Sequence, residues 1–206
     1  MILPETTRVA EGLTVVGASP DMLRELLEAY DWECTRAGAS FADAYAKGLS
    51  ASEIEDRFAA IGIVPPAELI VWWSWYDGLI PGNQPGPFWE QISLDTAIAI
   101  YKGQDVGLFE DQWNPDWIRV AGWGANVGVA VSCATSDIPP LVRQVAPGER
   151  STQPTDDEDQ VVSLCTPVAW WCLGLAKGFS VWDAEKGQFR TDIREYPREW
   201  RHTGLL

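Results

Sequence analysis

Apolar residues recur at helical spacing near the start of the chain, directly after a strong helix-start signal. Ser19-Pro20 combines a residue type that caps helix N-termini with a proline whose fixed backbone angle suits a first helical turn. A helix is therefore predicted from this point to about Trp32. Its apolar face consists of Met22, Leu23, Leu26, Leu27 and Tyr30.

The clearest helix signals follow Ser50. Ser50 and Glu53 have the spacing of a capping box, and Gly62 occupies a position that favours a left-handed helix end. Pro65-Pro66 then interrupts the chain and starts a second helix. Because the second helix is apolar on nearly all sides, the sequence predicts that it is buried and that it ends at Gly78.

The second half of the chain alternates short apolar runs with turn residues, a pattern typical of strands. The predicted strands are 117–123, 127–131, 141–145 and 160–164, followed by a terminal hairpin of 179–182 and 188–191. Asp95 is predicted to cap a short helix after a strand end at Leu94. Thr166-Pro167 is predicted to cap a last helix that Gly178 closes.

This order of elements predicts an α+β fold, because helices come first, strands occupy the middle and one helix lies near the end. We expect a central, antiparallel-dominated sheet flanked by N-terminal helices and one C-terminal helix. The expected organisation is a helical lead-in over residues 1–48, the main α+β domain over 49–191 and a frayed tail over 192–206.

Composition adds that the chain is globular and acidic. Its 206 residues, 46% of them hydrophobic, are enough for one domain with a core of its own. The sequence shows neither a membrane-length apolar run nor a basic-then-apolar leader, so the cytoplasm is the expected location. A formal net charge of −15 disfavours nucleic acids and anionic membranes as partners. It suits a basic protein partner, and solubility alone is the alternative explanation.

Residues that carry enzyme chemistry are sparse. His202 is the only histidine, which excludes a His-based triad and a His-rich metal site. The glycine-rich phosphate-binding motifs do not occur in the sequence, so we expect no nucleotide and no other cofactor. Asp111 and Asp116 are an acid pair of the kind a hydrolase uses, but 30 acidic residues produce such pairs by chance. We expect a protein that is not an enzyme and holds no metal.

The four cysteines are scattered without the spacing of metal ligands. This pattern predicts that the cysteines are reduced thiols in the core. The alternative is a role in a disulfide or a metal site. The four cysteines are Cys34, Cys133, Cys165 and Cys172.

Two features indicate where a partner binds. The densest acidic run either docks on a basic patch or is a solvated loop; it consists of Asp156, Asp157, Glu158 and Asp159. Tryptophan is enriched at interface hot spots, and three tryptophans lie off the best core stripes. These three candidates are Trp75, Trp123 and Trp170, whereas the tryptophans predicted to belong to the core are Trp72, Trp73 and Trp171.

The order of these motifs resembles the SUKH superfamily, also called the Smi/Knr cell-wall-assembly-regulator-like family. The resemblance covers roughly residues 20 to 185. It rests on the lead-in from Asp21 to Ser50, the helix ending in Ile61-Gly62, the Pro-led helix, the turn Asp77-Gly78-Leu79-Ile80-Pro81-Gly82-Asn83, the segment Trp113-Asn114-Pro115-Asp116-Trp117-Ile118 and the closing helix from Val168 to Leu175.

The resemblance implies a binding domain with a SUKH-like α+β fold. Many bacterial members are immunity proteins that bind and neutralise a cognate toxin, and fungal relatives are regulatory scaffolds of cell-wall synthesis. We therefore expect an immunity protein whose partner is a basic toxin domain. The alternative is a regulatory or scaffold protein without a toxin partner, and an acid-pair hydrolase is the third possibility.

Overall fold

The computed structural model describes residues 4–39, 41–83, 86–103, 116–123, 127–135, 137–145 and 160–206, with the backbone alone at 41 and 123. The helices are α1 (Pro20–Arg36), α2 (Phe41–Ala44), α3 (Ala51–Ala59), α4 (Ala67–Trp75), α5 (Leu94–Tyr101), α6 (Cys165–Lys177) and α7 (Arg198–His202). The strands are β1 (Thr6–Val9), β2 (Gly12–Val15), β3 (Tyr45–Lys47), β4 (Tyr76–Leu79), β5 (Trp117–Trp123), β6 (Val127–Ser132), β7 (Leu141–Val145), β8 (Gln160–Val162), β9 (Ser180–Asp183) and β10 (Gln188–Thr191).

The predicted α+β class is confirmed, and antiparallel pairing dominates the main sheet. Six of the described strands form this sheet in the order β1-β2-β8-β7-β6-β5. Only the β2–β8 pair within it is parallel, with Leu13 opposite Val161. Two smaller antiparallel pairs, β3–β4 and β9–β10, lie outside it. The predicted strands of the second half and the terminal hairpin are confirmed.

The core lies between one face of the main sheet and a layer of helices. Alternate residues of the strands point into it, as the period of two requires, and α1, α4 and α6 cover them. On the opposite face Trp117, Ala130 and Val145 form a smaller buried cluster. The Arg143 guanidinium lies 4.5 Å from the centroid of the Trp117 ring on that face.

The predicted helix caps at Ser19 and Ser50 are confirmed. The Ser19 side chain accepts the Met22 backbone N–H, with Pro20 at the first helical position. Both hydrogen bonds of the capping box are present between Ser50 and Glu53. At the other end of α3 the Ile63 N–H donates to the Phe58 carbonyl, so the chain turns through a left-handed residue at Gly62, as predicted.

The prediction that the second helix continues to Gly78 is wrong. Helix α4 ends at Trp75, and Tyr76–Leu79 is strand β4, paired with β3. Gly78 has φ +87°, and a Cβ there would lie 2.4 Å from the Ser93 backbone nitrogen. Glycine is needed there for this close approach of two backbones, so it marks the contact of β4 with the start of α5 and not a helix end.

Two predicted caps are displaced. Ser93, not Asp95, caps α5: its side chain accepts the Thr96 N–H, and Leu94 is the first helical residue and not a strand end. Helix α6 begins at Cys165, before Thr166-Pro167. The Thr166 hydroxyl donates to the Val162 carbonyl at 2.7 Å and accepts the Val15 N–H, and therefore ties β8 to β2.

The first and the last described segments of the chain both pack into the main body. The segment predicted as a helical lead-in also supplies β1 and β2 to the main sheet. The tail is not frayed, contrary to the prediction: Tyr196 and Leu205 are buried, and the Trp171 indole N–H donates to the Leu205 carbonyl at 2.8 Å. Apolar residues between the charged ones of the tail account for this packing. Every helix in the described ranges is too short or too polar to cross a lipid bilayer.

Candidate protein-binding surface

Trp170, predicted to contact a partner, belongs to the core. It is 1% exposed, and its ring stacks on that of Trp200 with centroids 4.7 Å apart and planes 8° apart. Its indole N–H donates to the Thr6 hydroxyl at 3.1 Å. The predicted position off the core is therefore wrong, because α6 is covered by α1, by the sheet and by the tail.

Trp75, the second predicted tryptophan, is half-buried at the end of α4. Its ring centroid lies 4.7 Å from that of Tyr76 and 6.1 Å from that of Tyr30. Tyr45 stacks on Tyr76 at 5.4 Å. Trp75 therefore belongs to an aromatic group whose outer members retain some exposed surface.

The other predicted contact residues cannot be placed in the same way. Trp123 lies in β5 with its backbone opposite Val127, and its side chain is outside the described part of the structure. The acidic run Asp156 to Asp159 also lies outside the described residues. Of the acid pair, Asp116 is exposed and Asp111 is outside the described residues.

An exposed tryptophan that the sequence analysis did not select lies on the solvent side of α1. Trp32 is 61% exposed, and the Arg36 guanidinium lies 5.5 Å from its ring centroid. Glu25 and Glu28 are exposed on the preceding turns. Because residues three and four apart are neighbours on a helix, the two carboxylates and the indole form one stripe.

Asp31 connects this stripe to the aromatic group. The Tyr76 hydroxyl donates to Asp31 Oδ2 at 3.0 Å, and within the described residues Asp31 Oδ1 is buried without a hydrogen-bond partner. Burial raises the pKa of the Tyr76 phenol, and the Asp31 carboxylate raises it further. Tyr76 therefore remains a donor at physiological pH, and its hydrogen bond fixes the position of the Asp31 carboxylate.

Glu28 lies next to both Asp31 and Trp32 on the helix, at spacings of three and four residues. The resulting patch is contiguous, and we call it the aromatic–acidic surface. It consists of Glu25, Glu28, Asp31, Trp32 and Tyr76.

The carboxylates of this surface are not neutralised by the basic residues of α1. Arg24 pairs with Asp21 and Arg36 pairs with Glu33, in both cases at a spacing of three residues. Glu25 and Glu28 have no Lys or Arg within 4.0 Å in the described part of the chain. The surface is therefore negatively charged around a large exposed ring, which suits a basic partner.

No comparable assembly of catalytic groups occurs in the described ranges. Glu68 lies beside the Ser163 hydroxyl, but Ser163 has no exposed surface through which to meet a substrate. The described residues include no group of three or more His, Cys, Asp or Glu side chains arranged to hold a metal ion. All four cysteines are free thiols, and the predicted burial holds for Cys34, Cys165 and Cys172.

One signal in the sequence identifies Trp32 as a candidate contact residue. The apolar face of α1 runs through Leu23, Leu27, Tyr30 and Cys34, and Trp32 falls on the charged side of this helix. A tryptophan on a charged helix face is the pattern that identifies it.

No protein-family model matches the chain, and no curated protein matches it.

Proposed function

We propose that this chain is a non-catalytic binding domain that neutralises a basic toxin domain by occluding it. The observation that carries the proposal is the exposed Trp32 ring within a stripe of carboxylates that lack a Lys or Arg partner among the described residues. The aromatic–acidic surface is the contact face in this proposal.

The net charge and the exposed aromatic ring both support this proposal. A net charge of −15 accelerates encounter with a basic partner and disfavours acidic ones. A tryptophan that becomes desolvated at the centre of an interface is the residue type that most often anchors binding energy. Asp31, held in place by the Tyr76 hydroxyl, adds a further half-buried carboxylate to this surface.

The resemblance to the SUKH superfamily supports the toxin-neutralising form of the proposal, because bacterial members of that family include immunity proteins. The regulatory-scaffold alternative uses the same surface with a different partner. The identity of the partner distinguishes the toxin-neutralising form from the scaffold alternative, because the gene of an immunity protein lies beside the gene of its toxin.

The test is co-expression with the product of the adjacent gene. We expect that product to arrest growth of a bacterial host and this chain to restore growth. Trp32→Ala and the double variant Glu25→Lys/Glu28→Lys should each abolish or strongly weaken the rescue. The double variant should also slow association by about tenfold or more at low ionic strength.

Two matched controls isolate the surface. Glu55→Lys/Asp56→Lys makes the same change in net charge on the exposed side of α3. Val64→Ala removes another apolar side chain, which is 76% exposed. Both controls should preserve rescue. Equal loss in the controls would remove the aromatic–acidic surface from the proposal, and capture of housekeeping proteins alone from the native cell would favour the scaffold alternative.

A further inference from the structure

A groove of about 410 Å³ lies between the edge strand β1 and helix α7, away from the aromatic–acidic surface. Its lining residues are Arg8, Pro197, Arg198, Glu199 and His202. Three of these five side chains are cationic or imidazole groups, in a chain with 30 acidic and 15 basic residues. The basic character of the groove therefore contrasts with the negative net charge of the chain as a whole.

The buried Trp170 fixes both walls of the groove. Its ring stacks on Trp200 of α7, and its indole N–H donates to Thr6 of β1. Thr6 and Arg8 point to the same side of β1, because side chains two apart in a strand share a face. Arg198 and His202 are four residues apart on α7, away from Trp200, and therefore share the solvent side.

The arginines of the groove lack carboxylate partners. Arg8 and Arg198 have no Asp or Glu oxygen within 4.0 Å among the described residues. The arginines that do form such ion pairs are Arg24, Arg36, Arg57, Arg190 and Arg194. Arg198 Nε donates to His202 Nε2 at 3.1 Å, which orients the guanidinium and the imidazole together.

We infer that this groove binds a small phosphate-bearing ligand, a phosphomonoester. Guanidinium forks match phosphate oxygens in geometry and charge, and two forks from separate elements together with an imidazole can engage all three terminal oxygens. The groove volume falls in the range of small-molecule sites and leaves room for the organic part of the ligand beyond the phosphate. Glu199 is the one carboxylate among the described lining residues, and it favours ligands that place hydroxyl groups near it.

The acidic surface elsewhere does not prevent such binding. At physiological ionic strength, charges farther apart than about 8 Å are largely screened, so the local arginines dominate the potential in the groove. The inference is independent of the proposed toxin partner and concerns a different face.

The experiment uses His202, the single histidine of the 206-residue chain, as a reporter. The imidazole proton resonances of His202 are followed by NMR at constant pH and ionic strength, with chloride, inorganic phosphate or glycerol 3-phosphate as the titrant. We expect a saturable shift with both phosphates, a lower apparent Kd for the phosphomonoester, and no saturable shift with chloride. An equal response to chloride overturns the inference, and a response to inorganic phosphate alone restricts the site to the free ion and overturns the phosphomonoester assignment.

Two variants test the residues. Arg8→Ala leaves the Arg198–His202 bond intact and should raise the apparent Kd for glycerol 3-phosphate by about tenfold or more. Arg198→Ala should do the same when binding is measured by calorimetry, because this substitution also alters the environment of His202. Arg24→Ala removes an exposed arginine paired with Asp21 and should leave the Kd unchanged. Unchanged Kd values in both groove variants, with the fold intact by circular dichroism, overturn the inference.

Discussion

The Glu68 carboxylate accepts a hydrogen bond from the Ser163 hydroxyl at 2.7 Å, across 95 residues of chain. Its other oxygen accepts the Leu164 backbone N–H, also at 2.7 Å. Both Glu68 and Ser163 are buried, and Ser163 has φ +70°, a conformation that costs energy for a residue with a side chain. The buried carboxylate therefore holds the turn between β8 and α6 against α4.

Substitution of Glu68 tests this role. Glu68→Gln should lower the free energy of unfolding by about 1–3 kcal/mol, because the amide presents donors where Ser163 and Leu164 both need acceptors. Urea denaturation followed by circular dichroism measures the change. Glu55→Gln, on the exposed side of α3, is the control and should have little effect.

Burial of Glu68 should also make the free energy of unfolding depend on pH. Burial raises the pKa of Glu68 above the ordinary carboxyl value, and the hydrogen bonds from Ser163 and Leu164 only partly oppose this. Because the folded state holds the proton more tightly than the unfolded state, stability is gained as the pH falls through the folded pKa. The gain is complete below the unfolded value of about 4.3. The stability difference between wild type and Glu68→Gln should therefore shift in favour of wild type as the pH falls; a constant difference between pH 7 and 4 would contradict this.

The hairpin of β5 and β6 holds Arg119 in a slot that Gly122 keeps open. A Cβ at Gly122 would lie 2.0 Å from an Arg119 guanidinium nitrogen, and the guanidinium donates to the Val127 carbonyl at 2.7 Å. Gly122→Ala should therefore destabilise the protein by about 1–3 kcal/mol. In an Arg119→Ala background the same substitution should cost much less, since the nearest atoms are gone. Additive effects in this double-mutant cycle would show that another contact limits the space.

Trp170 and Trp32 make a matched pair of tryptophans with opposite roles. Trp170→Phe loses the hydrogen bond to Thr6 and part of the stack on Trp200, so we expect a loss of about 1–3 kcal/mol in stability. Trp32→Phe should change stability by less than about 0.5 kcal/mol, because the ring is exposed. Thermal and urea unfolding measure both, and equal effects would contradict the assignment of Trp170 to the core.

The thiols should react slowly in the native protein. Burial, helped by nearby Asp116, raises the pKa of the Cys133 thiol to about 12, and burial raises that of Cys165 to about 11. Since the thiolate is the reactive form, reaction with an aromatic disulfide reagent at pH 8 should be slower than in urea by about several hundredfold or more. Cys133 should react first in spite of a pKa higher than that of Cys165, because it is half-buried whereas the other three thiols are buried and closed to the reagent. Cys133→Ser should therefore remove the earliest native phase. An unchanged time course in that variant would assign the phase to another thiol.

The parts of the fold that depend on local chemistry could be predicted from the sequence. The caps at Ser19 and Ser50 are formed by residues that are close in sequence, so the local sequence is enough to predict where these helices begin. The end of α4 could not be predicted in this way. Tyr76 leaves the helix to pair with Lys47 of β3, and nothing near Gly78 in sequence reveals that partner.

The candidate surface also combines features that the local sequence reveals with features that arise only from contacts distant in sequence. Trp170 is buried because Trp200, 30 positions later, covers it, and helical periodicity carries no information about such a distant cover. Trp32 was recognisable locally, because it interrupts the charged face of α1. The link from Asp31 to Tyr76 joins residues 45 apart and emerges only in the fold.

The parallel pair β2–β8 has a consequence for how the protein is made. The Thr14 hydroxyl donates to the Val162 carbonyl across 148 residues, so strand β2 finds its neighbour only after all the intervening residues have been synthesised. At ordinary rates of translation the delay is about 7–30 s. During this interval Leu13 and Val15, both buried in the finished protein, have no sheet to join. The N-terminal hairpin is therefore the segment most exposed to wrong pairing in the nascent chain, and the segment that a chaperone would be expected to shield.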